Sequence, residues 1–420
     1  MQYGCIGEHL KHSFSAEIHH ALADYSYEIC EVAREDLDLF LQKKDFCGIN
    51  VTIPYKELVI PHLYYISEQA KQIGAVNTVV NREGRLFGYN TDFYGMQSLI
   101  ERLGVPLRGK KLAVLGSGGT SHTAVAVAKA MGADPVLCVG RKQKDGVIDY
   151  ETLYREHADL QFLINTTPCG MYPYPEGNDK MPAAAIDLSR FASLEGVVDA
   201  VYNPLRPRLI LDAKEKGIPA EGGLFMLVAQ AVRASEIFLD TTYPEGTVER
   251  VYQDVLRQKE NLVLSGMPGS GKSTVGAILA KRLGMELIEL DAEIEKEAGT
   301  SILRIFETQG EPAFRDLESR IIKEKVAQRN GLIVSLGGGA VLRKENIDAL
   351  RRNGRIYFID RPLADLLPTP DRPLASSAEA IKRRYEERYE IYLATADVRI
   401  PVTTDAHGVA NIIEEDWKQL

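Results

Sequence analysis

The segment Gly266-Met267-Pro268-Gly269-Ser270-Gly271-Lys272-Ser273 has glycines, a lysine and a hydroxyl at the spacing GxxxxGK[ST]. The chemistry of that pattern is phosphate binding. Glycines let successive backbone N–H groups curl round phosphate oxygens, and the N-terminus of a following helix adds positive potential. Lys272 neutralises β/γ oxygens and acts on the transferring group, while Ser273 can ligate Mg²⁺. The expected ATP contacts are therefore Gly266, Pro268, Gly269, Ser270, Gly271, Lys272, Ser273 and Thr274. A second, looser glycine turn, Gly116-Ser117-Gly118-Gly119, suits the pyrophosphate of a dinucleotide. The strand after it ends in Gly140-Arg141-Lys142-Gln143-Lys144, basic where an NAD site wants a carboxylate for the ribose. Arg141 thus favours the 2′-phosphate of NADP(H).

Both turns need a strand before them and a helix behind them, and the sequence supplies each. Lys111 to Leu115 reads as a strand, Ser121 to Met131 as an Ala-rich helix and Pro135 to Val139 as the next strand, an order that requires a right-handed crossover and a parallel sheet. Strands at Phe162 to Ile164, Gly196 to Ala200 and around Pro219 follow, then an Ala-rich helix from Gly223 towards Phe238. Leu262 to Leu264 and Val275 to Leu283 form the strand and helix around the second motif. The fold class expected is α/β throughout. Residues 1–98 read as a small mixed unit to which 231–257 return, 99–230 as a Rossmann-type dinucleotide domain and 258–420 as a P-loop domain, with the main boundary at about Gln258.

Composition bounds the rest. With 45% hydrophobic and 26% charged residues over 420, the chain is globular rather than disordered or fibrous. Fifty Lys+Arg against 59 Asp+Glu give a net charge of −9, which offers no footprint for a nucleic acid or an anionic membrane. Anionic ligands must then be held by local groups, and the expected partners are small molecules. Five cysteines without CxxC spacing suit free thiols in a reducing cytosol, with no zinc site. No run of about 18 apolar residues and no leader pattern is present, so a cytoplasmic, membrane-free protein is expected.

After the P-loop come Glu289-Leu290-Asp291, Phe314-Arg315, Gly337-Gly338-Gly339 and Arg372-Pro373-Leu374, in that order. Over residues 259–420 the chain resembles shikimate kinase, and the resemblance implies an NMP-kinase-like α/β/α fold using MgATP. Asp291 is then the base that also holds two ring hydroxyls. Arg315 and Arg388 take the substrate carboxylate, for which planar guanidinium forks are suited. Gly337, Gly338 and Gly339 bring backbone to the ligand, and Arg372 swings in on a lid to stabilise phosphoryl charge. The family commonly has Asp-x-Asp where this chain has Glu289-Leu290-Asp291, so Glu289 reaches Mg²⁺ through water.

The first half carries Ser13-Phe14-Ser15, Asn50-Val51-Thr52-Ile53-Pro54-Tyr55-Lys56, Ala75-Val76-Asn77-Thr78 and Tyr89-Asn90-Thr91-Asp92. Over 1–257 these resemble shikimate dehydrogenase. The resemblance assigns Ser13 and Ser15 to the substrate carboxylate, Asn50, Thr52, Asn77, Thr91, Tyr202 and Gln230 to further substrate contacts, and Lys56 with Asp92 to catalysis. It also implies that Thr120, Thr166 and Met226 join Gly116, Ser117, Gly118, Gly119 and Arg141 round NADP(H). Ser15 precedes a helical stretch, and capping is compatible with ligand binding. The product of the first half is the substrate of the second, so the expected protein is a bifunctional enzyme that reduces 3-dehydroshikimate and phosphorylates shikimate. Competing readings are a quinate-type dehydrogenase fused to another kinase, and a nucleotide-sensing regulator with one inactive half.

Overall fold

The structure is a computed structural model that describes residues 1–8, 10, 13–144, 146–172, 186–366 and 377–419. It divides into two compact units, Met1–Val255 and Leu256–Leu420. Among the described residues no helix is long and apolar enough to cross a membrane, and the five cysteines are free thiols.

The first unit holds two sheets. Strands β1 (Tyr3–Gly7), β2 (Tyr27–Glu31), β3 (Gly48–Val51), β4 (Tyr65–Ile66), β5 (Thr78–Arg82) and β6 (Arg85–Tyr89) are ordered β2-β1-β3-β5-β6-β4. Strand β5 runs antiparallel to both its neighbours. Glu83 and Gly84 close the β5–β6 hairpin, both at positive φ (53° and 77°), as a two-residue turn with primed geometry requires. The second sheet comprises β7 (Leu112–Leu115), β8 (Val136–Gly140), β9 (Val147–Asp149), β10 (Phe162–Asn165), β11 (Gly196–Asp199) and β12 (Ala220–Glu221), all parallel in the order β12-β11-β10-β7-β8-β9. That is the dinucleotide-fold order, with the chain reversing direction of growth between β7 and β10. Its central strands are continuous apolar runs such as Leu112-Ala113-Val114-Leu115, every residue fully buried, because helices cover both faces.

The helix Leu224–Leu239 is continuous, so the sequence boundary at Gln230 falls inside one element. It packs along the helix Asp92–Leu103 and against Ser15–Leu22. Close approach is possible because Gly95 has no side chain; a Cβ there would stand 2.6 Å from the Met226 carbonyl oxygen. At its far end Phe238 stacks on Tyr3 of β1 with centroids 5.3 Å apart.

The second unit has one parallel sheet: β13 (Asn261–Ser265), β14 (Glu286–Glu289), β15 (Leu332–Ser335), β16 (Gly354–Asp360) and β17 (Val398–Pro401), ordered β14-β15-β13-β16-β17. The phosphate loop leaves β13 at the centre and enters the helix Lys272–Leu283. Strand β14 stops at Glu289, and Asp291 lies in the first turn of the helix Leu290–Ala298. The stretch Ile302–Ile321 breaks at Gly310 (φ 82°, ψ 171°), and Pro312 sits in the first turn of the renewed helix, where its missing N–H costs nothing.

Candidate active sites

In the first unit the loop after β3 and the start of the helix Asp92–Leu103 converge. Lys56 Nζ lies 2.7 Å from Asp92 Oδ2, with side-chain exposures of 15% and 5%. Tyr55, fully buried, anchors that loop by donating its hydroxyl to the Val32 carbonyl. Beside the pair, Asn77 Nδ2 donates to Thr91 Oγ1 and to Gln230 Oε1, both at 3.1 Å. Its Oδ1 accepts from the Thr91 amide at 2.7 Å. Asn50 continues the cluster, accepting from the Tyr27 hydroxyl at 2.7 Å and donating to Thr78 Oγ1 at 3.2 Å. Thr52 follows β3 directly, its methyl against Gly7. Ser13 Oγ donates to Ser15 Oγ at 3.0 Å and accepts from the Ser15 amide, a local turn that brings both hydroxyls together. Phe14, between them, meets Tyr202 edge-on at 5.2 Å. Burial pushes the Tyr202 phenol up to about 12, so it stays a neutral hydroxyl at physiological pH.

The dinucleotide turn follows β7. Gly116 has φ +118°, and a Cβ there would stand 2.6 Å from Thr166 Oγ1, so the residue must be glycine. Gly118 and Gly119 face open space within 4 Å, which leaves room for a pyrophosphate at the start of the helix Gly119–Ala130, where Thr120 also lies. Arg141 is exposed just beyond β8. Met226 is 6% exposed on the helix that packs against Gly95. These residues fit an NADP(H) site.

In the second unit Lys272, 5% exposed, donates to the carbonyls of Gly266 and Met267, each at 3.0 Å. Ser273 Oγ donates to Glu289 Oε2 at 2.9 Å, which places the longer carboxylate within reach of a cation at the Ser273 hydroxyl. This donor set fits MgATP. Gly266, Gly269 and Gly271 all take positive φ, Arg361 Nε donates to the Ser270 carbonyl at 3.4 Å, and Thr274 is exposed on the helix behind.

Across the site, a Cβ on Gly337 would lie 2.7 Å from Asp291 Oδ1, one on Gly338 2.9 Å from Pro268 Cδ, and one on Gly339 would collide with Arg315 Nη2. The three glycines are thus the space into which a carboxylate, the phosphate loop and a guanidinium project. Arg388 Nη1 donates to the Gly338 carbonyl at 2.9 Å, and the Tyr392 hydroxyl donates to the same oxygen. Arg315 is held by Glu311 Oε1 at 3.1 Å and by Glu318 Oε2 at 2.8 Å. Arg372 lies outside the described residues.

Sequence reading missed Glu318. It is fully buried, and burial raises its carboxyl against the opposing Arg315 charge, with Asp291 adding to the rise. The signal was available: Glu318 follows Arg315 by three on a helix. It also missed Asp199, the fully buried end of β11, whose carboxyl burial pushes up to about 7.

The family model for the shikimate dehydrogenase substrate binding domain matches residues 5–79, and that for shikimate kinase matches residues 268–417. Shikimate dehydrogenase (NADP(+)) of Clostridium perfringens (strain ATCC 13124) is 34% identical over 270 residues, 60% of this chain and 97% of that protein. The crystal structure of shikimate dehydrogenase 1 from Peptoclostridium difficile matches with TM-score 0.55 and 33% identity over 61% of this chain and 98% of that one. Shikimate 5-dehydrogenase from Thermus thermophilus, solved with NADP(H) and shikimate, matches with TM-score 0.53 and 28% identity over 60% of this chain and 99% of that one.

Proposed function

The chain belongs to the shikimate dehydrogenase family through its first unit and carries a shikimate kinase domain in its second, and from that premise we propose that it reduces 3-dehydroshikimate to shikimate and then phosphorylates the 3-hydroxyl of that product. When bound, NADPH supplies the hydride and MgATP the phosphoryl group. Lys56 Nζ, oriented by Asp92, delivers the proton to the substrate's carbonyl oxygen. Asn77, Thr91 and Gln230, with Asn50 and Thr52, bind the ring hydroxyls, and Ser13 and Ser15 take the carboxylate. Arg141 pairs with the cofactor's 2′-phosphate, the Gly116–Gly119 turn holds its diphosphate, and Thr166 belongs to the turn near its nicotinamide.

In the second unit Asp291 accepts the proton of the attacking hydroxyl, while Arg315 and Arg388 fix the carboxylate at the opposite end of the ring. Lys272 exchanges its loop carbonyls for phosphate oxygens, and Arg372 belongs to the same charge-stabilising set. Ser273 would hold Mg²⁺ with Glu289 behind it. The observation that supports this reading above others is one chain carrying both a buried-edge Lys56–Asp92 pair beside an amide and hydroxyl cluster and a phosphate loop facing Asp291 across three glycines.

One assay tests it. The purified chain receives 3-dehydroshikimate and NADPH while absorbance is followed, then MgATP while shikimate 3-phosphate is sought by mass. Reduction followed by ATP-dependent phosphorylation is expected. Reduction alone would leave the kinase assignment wrong, and no NADPH oxidation would sink the dehydrogenase assignment.

A further inference from the structure

We propose that Asp199 is a positioning residue for hydride transfer, holding the turn after β10 and the turn after β11 together through one shared carboxylate oxygen. The proposal rests on the dehydrogenase reading above. Asp199 ends β11 and lies directly opposite Asn165, which ends β10. Its Oδ1 accepts from Asn165 Nδ2 at 2.8 Å and from the Val201 amide at 2.9 Å. Asn165 Oδ1 in turn accepts from the Thr167 amide at 3.0 Å and from Thr167 Oγ1 at 2.7 Å. An unbroken chain of hydrogen bonds therefore runs from Thr167 through Asn165 and Asp199 to Val201.

Each end of that chain touches a different reactant's side of the site. Thr166, the neighbour of Thr167, donates its hydroxyl to the Leu115 carbonyl at 2.6 Å and abuts Gly116 of the dinucleotide turn. Tyr202, the neighbour of Val201, meets Phe14 between the two serines assigned to the substrate carboxylate. The relative placement of cofactor and substrate is thus set across a single carboxyl group. Its second oxygen, Oδ2, is buried with no hydrogen-bond partner among the described residues. A buried polar oxygen without a partner is a cost that a purely structural pin would avoid, since an amide or hydroxyl could tie two loops together with fewer orphaned lone pairs. The neighbours that face the carboxyl, Asn165 and the Val201 amide, are both neutral.

The test uses the full chain, with kcat and both KM values measured for NADP⁺ and shikimate and with circular dichroism and the thermal unfolding profile compared with the unmodified chain as the control for a folded first unit. Asp199→Ala is expected to lower kcat about 10- to 100-fold while each KM moves less than about threefold, because misplacement of reacting groups acts on the chemical step. Asp199→Asn keeps an oxygen for the same two donors and is expected to restore kcat to within about threefold of the unmodified chain. Asn165→Ala cuts the chain at its other end and serves if Asp199→Ala does not fold; it should show the same loss confined to kcat. An unchanged kcat in either alanine variant, or equal losses in Asp199→Ala and Asp199→Asn, would overturn the positioning role. Absence of NADP-dependent turnover in the unmodified chain would overturn the dehydrogenase reading and the role together.

Discussion

Lys56 Nζ and Asp92 Oδ2 stand 2.7 Å apart although 36 residues separate them in sequence. The loop after β3 and the first residue of a helix meet there, and the Thr91 amide next to Asp92 is held by Asn77 Oδ1. The lysine is thus paired with a carboxylate whose neighbouring backbone amide is itself held by the Asn77 side chain.

Removing either member of the pair should disable one activity only. Lys56→Ala or Asp92→Asn is expected to lower kcat for 3-dehydroshikimate reduction by roughly 10²- to 10⁴-fold, the usual worth of positioned proton transfer. Phosphorylation of supplied shikimate should stay at the unmodified level. Parallel steady-state assays of both reactions on one preparation check this.

Gly339→Ala tests the kinase site by space alone. The backbone at Gly339 is not in the left-handed region (φ −116°), so alanine brings no conformational strain. Its Cβ would overlap Arg315 Nη2, and the guanidinium must leave. The expected result is a rise of about 10- to 100-fold in KM for shikimate in the phosphorylation reaction, the worth of a charge-assisted fork. Reduction kinetics should not change.

On the proposed reading, cofactor choice depends on Arg141. Arg141→Ala is expected to raise KM for NADPH about tenfold and to leave KM for NADH nearly unchanged, since only the former carries the phosphate to be paired. The ratio of the two KM values is the quantity to measure.

The Asp199 carboxyl also predicts a pH dependence of stability. Burial lifts it to about 7 in the folded chain, above its value when unfolded. The folded state therefore binds the proton more tightly, and the stabilisation is fully present below the unfolded value near 3.9 and declines as pH rises towards 7. The loss amounts to at most about 4 kcal/mol across that window. Asp199→Asn has no such proton, so the difference in unfolding midpoint between it and the unmodified chain should grow in the variant's favour from pH 4 to pH 7. A flat difference would show that Asp199 does not titrate there.

Sequence revealed what is local. The phosphate loop and the dinucleotide turn are readable because spacing along the chain equals geometry: strand, turn and helix are consecutive, so glycine positions map directly onto the ligand. The Asn-Val-Thr-x-Pro-x-Lys and Asn-Thr-Asp motifs pointed to Lys56 and Asp92 only through resemblance, because nothing local pairs two residues on separate elements. Glu318 and Asp199 escaped notice for a related reason. Each is one carboxylate among 59 acidic residues, and it becomes unusual only once the fold removes it from water and sets Arg315 or Asn165 beside it.

The hydrogen bonds around Asn77 bear on which molecules the first unit can refuse. Its amide hydrogens are engaged by Thr91 and Gln230, and its carbonyl by the Thr91 amide and the Thr78 hydroxyl. An incoming hydroxyl must displace one of these bonds, so binding there is an exchange between comparable partners. A competitor lacking that hydroxyl leaves the old bonds in place and strands no buried group, which removes the penalty that usually rejects deoxy analogues. On the proposed assignment of Asn77 to a ring hydroxyl, discrimination at this end of the ring is therefore weak.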